Sequence, residues 1–573
     1  MIQLTIDDQP VEVADGTSVL DAARSVDIHI PTLCWHPDQP IKGNCRICLV
    51  EADGRLAPAC ATQVSEGMAV HTTSARSRKT RRNVLELILA HHPLDCLHCF
   101  RNGNCELQQV AEDMNFTEEP RYPHRDRGLP VDCSSPSIVR DPDKCIVCGR
   151  CEYVCSEVQS VYALSKQGRG FDTVFTTPYD RPMAETVCVN CGQCVQVCPV
   201  GALTVHDDTS RVWAKINDPA AFVVAQIAPS SRVTIAEACG EDPGVVGTGR
   251  LVTALKRIGF DKVFDTDFTA DLTIMEEATE LLGRVTGGGT LPMITSCSPG
   301  WVKFAETYYP DLLPNLSSCK SPQAMFGALI KTYLADVLHQ DPASICSVSI
   351  MPCTAKKFEA RRPEMSHGNS ADIDVVLTVQ EVAKMIKQAG LHFADLPDTP
   401  FDDPIGLGSG AGQVFAATGG VMEAALRSAY ELITGEQLGN LDFTAVRGFD
   451  GIKEATVQAG ELTVKVAVAH GLGHARQLMD AIRAGTADYH FIEIMACPGG
   501  CIGGGGNPIK NWAKMAQRLD AVYTIDKSLP LRKSHENPVV QQLYADFLEA
   551  PNSHRAHELL HTHYTDRSTL LGA

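Results

Sequence analysis

Residues 145–155, CIVCGRCEYVC, and residues 188–198, CVNCGQCVQVC, repeat one spacing of four cysteines, and Pro199 follows the second run. The spacing C-x2-C-x2-C-x3-C is typical of [4Fe–4S] sites, and in paired runs the fourth cysteine of each run ligates the other cluster. The repeat therefore predicts two cubanes held close together, with an insertion over about 160–185 between the halves. The predicted ligands are Cys145, Cys148, Cys151 and Cys198 for one cluster and Cys155, Cys188, Cys191 and Cys194 for the other.

A further cysteine pattern lies near the start of the chain. Leu4, Ile6, Val11 and Val13 alternate around a turn and predict a hairpin, and Thr17 can cap a helix that runs to about residue 26. The pattern itself is C-x10-C-x2-C-x11-C, which resembles plant-type ferredoxins although the first gap is longer than theirs. It predicts a [2Fe–2S] cluster with the ligands Cys34, Cys45, Cys48 and Cys60.

A histidine and three cysteines follow the apolar stretch VLELILAHH (84–92). Their spacing, H-x3-C-x2-C-x5-C, suits tetrahedral zinc as well as a [4Fe–4S] cluster, so zinc is the alternative. The position of this group between two other cluster patterns favours iron and sulfur. The predicted ligands are His92, Cys96, Cys99 and Cys105.

The bulk properties exclude several classes of function. The chain has 573 residues, a formal charge of −19 and an isoelectric point near 5.4, which disfavour a nucleic acid or an anionic membrane surface as a partner, and no insertion into a membrane is expected. Its start, MIQLTIDDQP, has no basic and apolar leader, and no apolar run reaches about 18 residues. With 23 cysteines, a cytoplasmic metalloprotein is expected, because disulfide frameworks belong to small secreted domains.

The region after residue 206 has the composition of an ordinary α/β domain. Three strand-like runs, LPMIT (291–295), VSIM (348–351) and YHFIEIM (489–495), each lead into a cysteine-bearing loop. Because ligands bind at the carboxyl ends of strands in open α/β sheets, these loops can converge on one site. Their cysteines are Cys297, Cys353, Cys497 and Cys501.

The three loops carry a specific resemblance. ITSCSPGW (294–301), MPCTAKKFE (351–359) and EIMACPGGCIGGGGNP (493–508) resemble the signatures of the iron-only, or [FeFe], hydrogenases, and MEEATELL, NLSSCKSPQ, FAATGGVMEAALRSA and KSHEN extend the similarity. With the cluster patterns it covers nearly the whole chain and is close to the large clostridial type with four accessory clusters. It also resembles the catalytic subunit of NAD(P)-linked, electron-bifurcating enzymes.

The resemblance implies a multidomain α+β and α/β fold. The expected domains are a β-grasp [2Fe–2S] ferredoxin domain over 1–78, a His/Cys3 cluster domain over 79–125 and a double [4Fe–4S] ferredoxin domain over 126–208. A large α/β domain for the H-cluster, with C-terminal wrapping helices, is expected over 209–573. The implied cofactors are one [2Fe–2S] cluster, three accessory [4Fe–4S] clusters and the H-cluster, a cubane joined to a diiron unit with CO, cyanide and azadithiolate.

The resemblance also assigns roles at the H-cluster. Cys353, Cys497 and Cys501 correspond to cubane ligands, and Lys356 corresponds to a residue that hydrogen-bonds a cyanide. The side chains that correspond to the cofactor's surroundings are Pro229, Ser230, Met351, Phe415 and Met495.

A proton relay is implied as well. Glu277, Glu280 and Arg284 stand at i, i+3 and i+7 and share a helix face, and burial would raise the pKa values of such carboxylates. Without the resemblance, Glu280 and Arg284 would be read as an exposed ion pair. In the family the relay corresponds to Arg284, Glu280, Ser317, Glu277, a water and the thiol of Cys297.

One position departs from the family. Its motif usually has two adjacent cysteines, a relay thiol and then a cubane ligand, whereas this chain has Cys297 followed by Ser298. A serine oxygen is harder and less acidic than a thiol and should bind iron less readily. Ser298 can ligate directly, Cys297 can turn inward as the ligand, or the change marks a tuned or impaired enzyme.

The sequence therefore predicts reversible hydrogen chemistry, 2H⁺ + 2e⁻ ⇌ H₂, fed by the accessory clusters. The alternatives are a peripheral subunit of respiratory NADH dehydrogenase, which residues 1–205 also resemble, and a non-catalytic or sensory hydrogenase-like protein, which Ser298 favours. The expected partners are ferredoxin or flavin-containing NAD(P)-linked subunits, together with hydrogenase maturation proteins. The chain shows no flavin or dinucleotide fingerprint of its own.

Overall fold

The computed structural model describes residues 1–118, 120–125, 127–367, 370–460 and 462–572. The chain divides into two compact units. The amino-terminal unit contains Met1–Ser156, Tyr162–Met183 and Val197–Thr204, and the carboxyl-terminal unit contains Glu157–Val161, Ala184–Gln196 and Val205–Ala573. Within the described residues, no helix has the length and apolarity needed to cross a membrane.

The amino-terminal unit begins with a five-stranded mixed sheet. The predicted hairpin is confirmed, since Ile2–Ile6 pairs with Gln9–Val13 and Leu4 lies opposite Val11. The predicted helix is shorter than expected, because the hydroxyl of Ser18, not that of Thr17, accepts the Asp21 backbone N–H as the N-cap. In spatial order the strands are Gln9–Val13, Ile2–Ile6, Ala69–His71, Leu49–Ala52 and Arg55–Pro58, and the helix is Val19–Arg24.

Mostly short helices and strands, joined by cysteine-bearing loops, follow the sheet up to about residue 205. Cysteine ligand loops need an irregular backbone, so regular structure is sparse between residues 90 and 205. The helices are Ala75–Leu89, Glu106–Asp113, Arg150–Tyr153 and Gln193–Val197, and the strands are Ile138–Arg140, Ser165–Gln167, Val174–Thr176 and Leu203–Val205.

Two four-stranded sheets form the centre of the carboxyl-terminal unit. The first is wholly parallel, and all seven residues of Ile345–Met351 are buried, as in a parallel strand covered on both faces. Its order is Lys262–Asp265, Phe222–Ile227, Ile345–Met351 and Val375–Thr378. The second has the order Met293–Ile294, Phe491–Met495, Leu462–His470 and Ile452–Ala459, with only the last pair antiparallel.

One long helix, Thr266–Gly287, follows the edge strand of the first sheet and carries the predicted relay residues. The Asp265 side chain caps its start by accepting the Asp267 backbone N–H, and Gly288 ends it with a φ of 73°. The other helices of the unit are Thr209–Ile216, Ile235–Ala238, Thr248–Ile258, Pro299–Tyr308, Pro322–Ile330, Tyr333–Val337, Ala355–Glu359, Val379–Gln388, Gly410–Val414, Gly420–Thr434, Leu472–Arg483, Trp512–Ser528, Pro538–Leu543 and His554–Leu560.

Candidate active site

The three cysteine loops of the carboxyl-terminal unit meet at one cavity. Strands from both sheets end there, since Met351 and Met495 are the last residues of their strands. The thiols lie so close together that their charges oppose each other's ionisation. Burial and the neighbouring Cys497 raise the pKa of Cys501 to about 12 and raise that of Cys353 still further. Such a set of thiols favours a metal cluster that replaces their protons.

The glycine run after Cys497 lets the loop pack closely around the cavity. Gly500 has a φ of 89°, and a Cβ there would lie 2.5 Å from the backbone nitrogen of Thr418. At Gly504 a Cβ would lie 2.3 Å from the carbonyl oxygen of Pro352, one residue before Cys353. A side chain at either position would push the Cys501 loop away from the Cys353 loop.

Lys356 lies at the cavity and is held on several sides. Its Nζ donates to Glu359 Oε2 at 2.8 Å, to Ser321 Oγ at 2.7 Å and to the Cys297 carbonyl oxygen at 3.2 Å. An ammonium has three hydrogens, so a further acceptor in the cavity would replace one of these contacts, and the longest is the one to Cys297.

The predicted surroundings of the cofactor also line the cavity. The Ser230 hydroxyl donates to the Cys501 carbonyl oxygen at 3.1 Å, which ties the two loops together. Beside this polar group the wall is apolar and largely buried. The predicted lining residues found there are Pro229, Ser230, Met351, Phe415 and Met495.

Cys297 and Ser298 both line the cavity, but their surroundings differ. The Ser298 hydroxyl oxygen accepts the backbone N–H of Ala496 at 3.2 Å, which places it beside the Cys497 loop. Burial and the negative charge of Glu277 raise the pKa of the Cys297 thiol well above its usual value. Cys297 is therefore influenced by a relay residue of the long helix, whereas Ser298 bonds the residue that precedes the predicted cubane ligand Cys497.

The predicted relay residues lie together on the long helix and the 315–323 loop. Arg284 donates to Glu280 at 2.6 Å, and the Ser317 hydroxyl donates to the other Glu280 oxygen at 2.9 Å. This ion pair is mostly buried, with 16% and 13% of the two side chains exposed, so the alternative of an exposed pair is wrong. Burial, reinforced by Glu280, raises the pKa of Glu277 to about 8.

Two of the accessory ligand sets gather within the amino-terminal unit. His92, Cys96, Cys99 and Cys105 line one cavity, and Cys145, Cys148, Cys151 and Cys198 line another. His92 Nδ1 contacts the Lys144 carbonyl oxygen at 3.1 Å, and burial lowers the pKa of the imidazole. A neutral ring with Nδ1–H engaged leaves Nε2 as the possible metal ligand.

The [2Fe–2S] set also lies within the amino-terminal unit. Cys45 donates its backbone N–H to Cys34 Sγ at 3.5 Å, and the sulfur atoms of Cys48 and Cys60 are 3.4 Å apart. Cys133, which fits none of the patterns, is exposed.

Three cysteines of the second ferredoxin run belong to the catalytic unit. Their segment, Ala184–Gln196, is bound to the signature loops, since Thr354 donates to the Asn190 carbonyl oxygen at 2.7 Å and Gln193 donates to that of Gly503 at 3.0 Å. The charge of Cys497 helps to raise the pKa of Cys191, after the larger effect of burial. Residues that hold one predicted cluster thus lie beside residues that hold the next.

The sequence interpretation missed the side chains that position Lys356. Glu359 lies in MPCTAKKFE and Ser321 in NLSSCKSPQ, but neither motif by itself predicts a role for these two residues. The i, i+3 spacing of Lys356 and Glu359 on the Ala355–Glu359 helix could have identified the first, because such residues are neighbours on a helix surface. Ser321 could not be found in this way, since it lies 35 residues away along the chain.

Comparison with known proteins decides the family. Over the full length of both chains, the sequence is 48% identical to the NADP-reducing hydrogenase subunit HndD of Solidesulfovibrio fructosivorans. It is 40% identical to iron hydrogenase 1 of Clostridium pasteurianum, over 96% of this chain and 97% of that one. This chain belongs to the [FeFe] hydrogenases.

The regions matched by the protein families correspond to the regions of the predicted cysteine patterns. The family described as iron only hydrogenase large subunit, C-terminal domain, matches residues 221–505, and iron hydrogenase small subunit matches 513–567. Upstream lie matches to a 2Fe-2S cluster binding domain over 1–75, an NADH-ubiquinone oxidoreductase-G iron-sulfur binding region over 81–120 and a 4Fe-4S dicluster domain over 138–202. The NADH dehydrogenase alternative is therefore wrong for the whole chain.

A solved structure agrees with this result for the catalytic half. The [FeFe]-hydrogenase HydA1 of Chlamydomonas reinhardtii is 44% identical, with a TM-score of 0.58 over 63% of this chain and 99% of that one. The protein is thus a hydrogenase that turns over H₂ and has accessory iron–sulfur domains upstream of its H-cluster domain.

Proposed function

We propose that this hydrogenase is the hydrogen-handling subunit of an NAD(P)-linked complex and carries four accessory clusters. The observation that supports a complete catalytic site is the cavity lined by four cysteines and Lys356, where Glu277 of the relay acts on the thiol of Cys297. The full-length similarity to an NADP-reducing hydrogenase subunit supports the partner. Ferredoxin is the other candidate partner, and the predicted domain boundaries at residues 78, 125 and 208 belong to the same proposal.

The residues at the cavity fit an H-cluster. Cys353, Cys497 and Cys501 offer thiolates, and Lys356 offers an ammonium to an anionic ligand. When bound, the H-cluster supplies the iron that exchanges electrons with hydrogen and the amine base that exchanges its proton. The chain supplies a largely apolar wall, which keeps water away and strengthens the charge interactions inside.

The relay moves protons between this cavity and the surface. Arg284 orients Glu280, and Glu280 accepts a hydrogen bond from the Ser317 hydroxyl. Ser317 can therefore pass a proton onward only when its hydroxyl rotates away from Glu280. With a pKa of about 8, Glu277 holds a proton at neutral pH and can release it to, or recover it from, the Cys297 side. A carboxylic acid with a pKa near the working pH is an efficient proton carrier.

Ser298 takes the place of the fourth cubane ligand in this proposal, and Cys297 keeps the relay role. The hydrogen bond from Ala496 holds Ser298 against the Cys497 loop, whereas Glu277 is the strongest charge acting on Cys297. An oxygen ligand lowers the reduction potential of a cluster relative to a thiolate.

The first experiment compares the unmodified chain with Ser298→Cys and Ser298→Ala, each with its diiron unit installed. We expect anaerobic H₂ evolution from reduced viologen in the unmodified protein. We also expect a higher cubane potential in Ser298→Cys and a damaged cubane signal in Ser298→Ala. Activity that appears only in Ser298→Cys would overturn the proposal and support a non-catalytic or sensory protein.

A second experiment tests the partner. The holoenzyme is mixed with purified flavin-containing NAD(P)-linked subunits or with ferredoxin alone, and H₂ evolution is followed with each electron donor. Turnover that requires the flavin subunits supports the complex, and equal turnover with ferredoxin alone contradicts it. A cytoplasmic location and loading by hydrogenase maturation proteins are further parts of this proposal.

A further inference from the structure

A second group of potential metal ligands lies at the outer end of the relay. Glu280, Cys319 and His561 each bring one ligand atom within 4.8 Å of the others, and Cys319 and His561 are buried. Cys319 and His561 have no place in the relay described above. Thiolate, imidazole and carboxylate together form a donor set that suits zinc.

The distance between two atoms of the group matches that between two ligands of a tetrahedral ion. Cys319 Sγ lies 3.7 Å from Glu280 Oε2. Ligands at zinc–sulfur and zinc–oxygen bond lengths on a tetrahedral angle are about 3.6 Å apart. These two atoms therefore need almost no movement to bind one ion.

His561 is oriented as a metal-ligating histidine usually is. Its Nε2 lies 3.0 Å from Glu276 Oε2, and its Nδ1 lies 2.8 Å from the Ser318 hydroxyl. A carboxylate that accepts the Nε2–H fixes the tautomer and leaves Nδ1 as the nitrogen with a lone pair, which can bind a metal once the Ser318 hydroxyl turns away from it. The backbone also brings this ring to Cys319, because the two residues form an antiparallel bridge.

The charges around the group favour a cation. Besides Glu277, which holds a proton at neutral pH, the carboxylates of Glu280 and Glu276 act on the Cys319 thiol. Cys319 and Glu276 are both fully buried. A divalent ion would neutralise this excess of buried negative charge.

Glu280 can turn toward an ion at limited cost. Arg284, its ion-pair partner, also donates to the carbonyl oxygens of Thr290, Pro314, Asn315 and Leu316, so the guanidinium keeps other acceptors. Because 13% of the Glu280 side chain is exposed, an ion from solution can reach the group.

We propose that Glu280, Cys319 and His561 bind Zn²⁺ and that the bound ion closes the proton relay by engaging Glu280. Cys319 loses its S–H proton to solvent as the S–Zn bond forms, and water completes the four-coordinate ion. The closure rests on the relay role proposed above for Glu280, whereas zinc binding itself does not.

The test titrates the loaded, full-length hydrogenase with ZnCl₂ and follows H₂ evolution from reduced viologen. We expect inhibition of at least about tenfold, since positioned proton transfer contributes 10² or more, and recovery on adding a chelator. Cys319→Ala, Cys319→Ser and His561→Gln should each raise the half-inhibitory zinc concentration about tenfold or more. His535→Gln is the matched control, because it removes the other described grouping of this kind, formed with Glu431 and Glu536.

Zinc K-edge X-ray absorption provides a readout that does not depend on activity. The zinc spectrum should contain one sulfur at about 2.3 Å that is missing from Cys319→Ala. Equal zinc sensitivity in all variants, or bound zinc without that sulfur, would overturn the inference. If the unmodified protein evolves no H₂, the proposed function fails, and the absorption spectrum still decides the zinc site.

Discussion

The His92 group and the catalytic cavity both gather thiols, but they differ in their exposure to solvent. At the His92 group Cys96, Cys99 and Cys105 are only partly buried, and the neighbouring Leu97 is 87% exposed. At the cavity Cys497 is buried, and Cys353 and Cys501 lie among the buried side chains of Met351, Phe415 and Met495. In the predicted relay, Glu280 accepts hydrogen bonds from Arg284 and Ser317. Electrons can tunnel through protein, whereas protons must pass from group to group. A site for electrons alone can therefore lie at the surface, but a dry site for hydrogen needs a relay.

The largest expected effect comes from removing a thiol at each site. Cys497→Ala should abolish H₂ evolution with every electron donor, because the H-cluster cubane loses a proposed ligand. Cys99→Ala should spare activity with small viologens far more than activity with a protein partner, since viologen can reduce other clusters. Assays with both donors measure this. Equal losses in the two variants would show that the sites do not differ in this way.

The next effect concerns proton transfer into the buried site. Glu277→Gln keeps the size of the side chain but removes the exchangeable acid, so H₂ evolution should fall by about 10²-fold or more. Electron paramagnetic resonance of all clusters should stay unchanged. The control is Glu431→Gln, a change at a carboxylate outside the relay. A Glu277→Gln enzyme with full activity would contradict the proposed relay.

Burial of the same carboxyl group also predicts a pH dependence of stability. Burial raises the pKa of Glu277 from 4.5 to about 8, with Glu280 adding to the effect. The folded protein therefore keeps a proton that the unfolded chain releases above pH 4.5, and its free energy of unfolding falls as the pH rises toward 8. The Glu277→Gln variant has no carboxyl group at this position, so its free energy of unfolding does not show this decrease with pH. Its thermal midpoint relative to the unmodified protein should rise between pH 5 and pH 8.5, and a constant difference would contradict the burial argument.

The smallest expected effect lies at the exposed surface of the His92 group. Leu97→Asp places a charge on a side chain that is 87% exposed, so it should leave stability and viologen activity unchanged. Turnover with the electron-transfer partner should fall severalfold if this apolar surface contributes to docking. Val131→Asp, at another exposed apolar residue of the same unit, is the matched control. An equal decrease in partner-dependent turnover for both variants would show that the surface around Leu97 has no specific role in docking.

Much of the candidate site could be predicted because its chemistry depends on local spacing. The run Cys145, Cys148 and Cys151 already specifies a cluster loop, and helical periodicity alone placed Glu277, Glu280 and Arg284 on one face of Thr266–Gly287. The helix predicted to follow a Thr17 cap and run to about residue 26 instead follows Ser18 and ends at Arg24. Its start differs because capping depends on which hydroxyl reaches a backbone N–H, and here that is Ser18.

Tertiary structure alone decided how distant residues meet. The sequence by itself determined the cluster loops, the family and the relay face, because these depend on residue type and short spacings. It could not show that Met351 and Met495 end strands of different sheets at one cavity. Nor could it show that His561 pairs with Cys319, or that Glu277 is buried deeply enough to raise its pKa to about 8. Burial and contacts between segments hundreds of residues apart arise only when the whole chain packs.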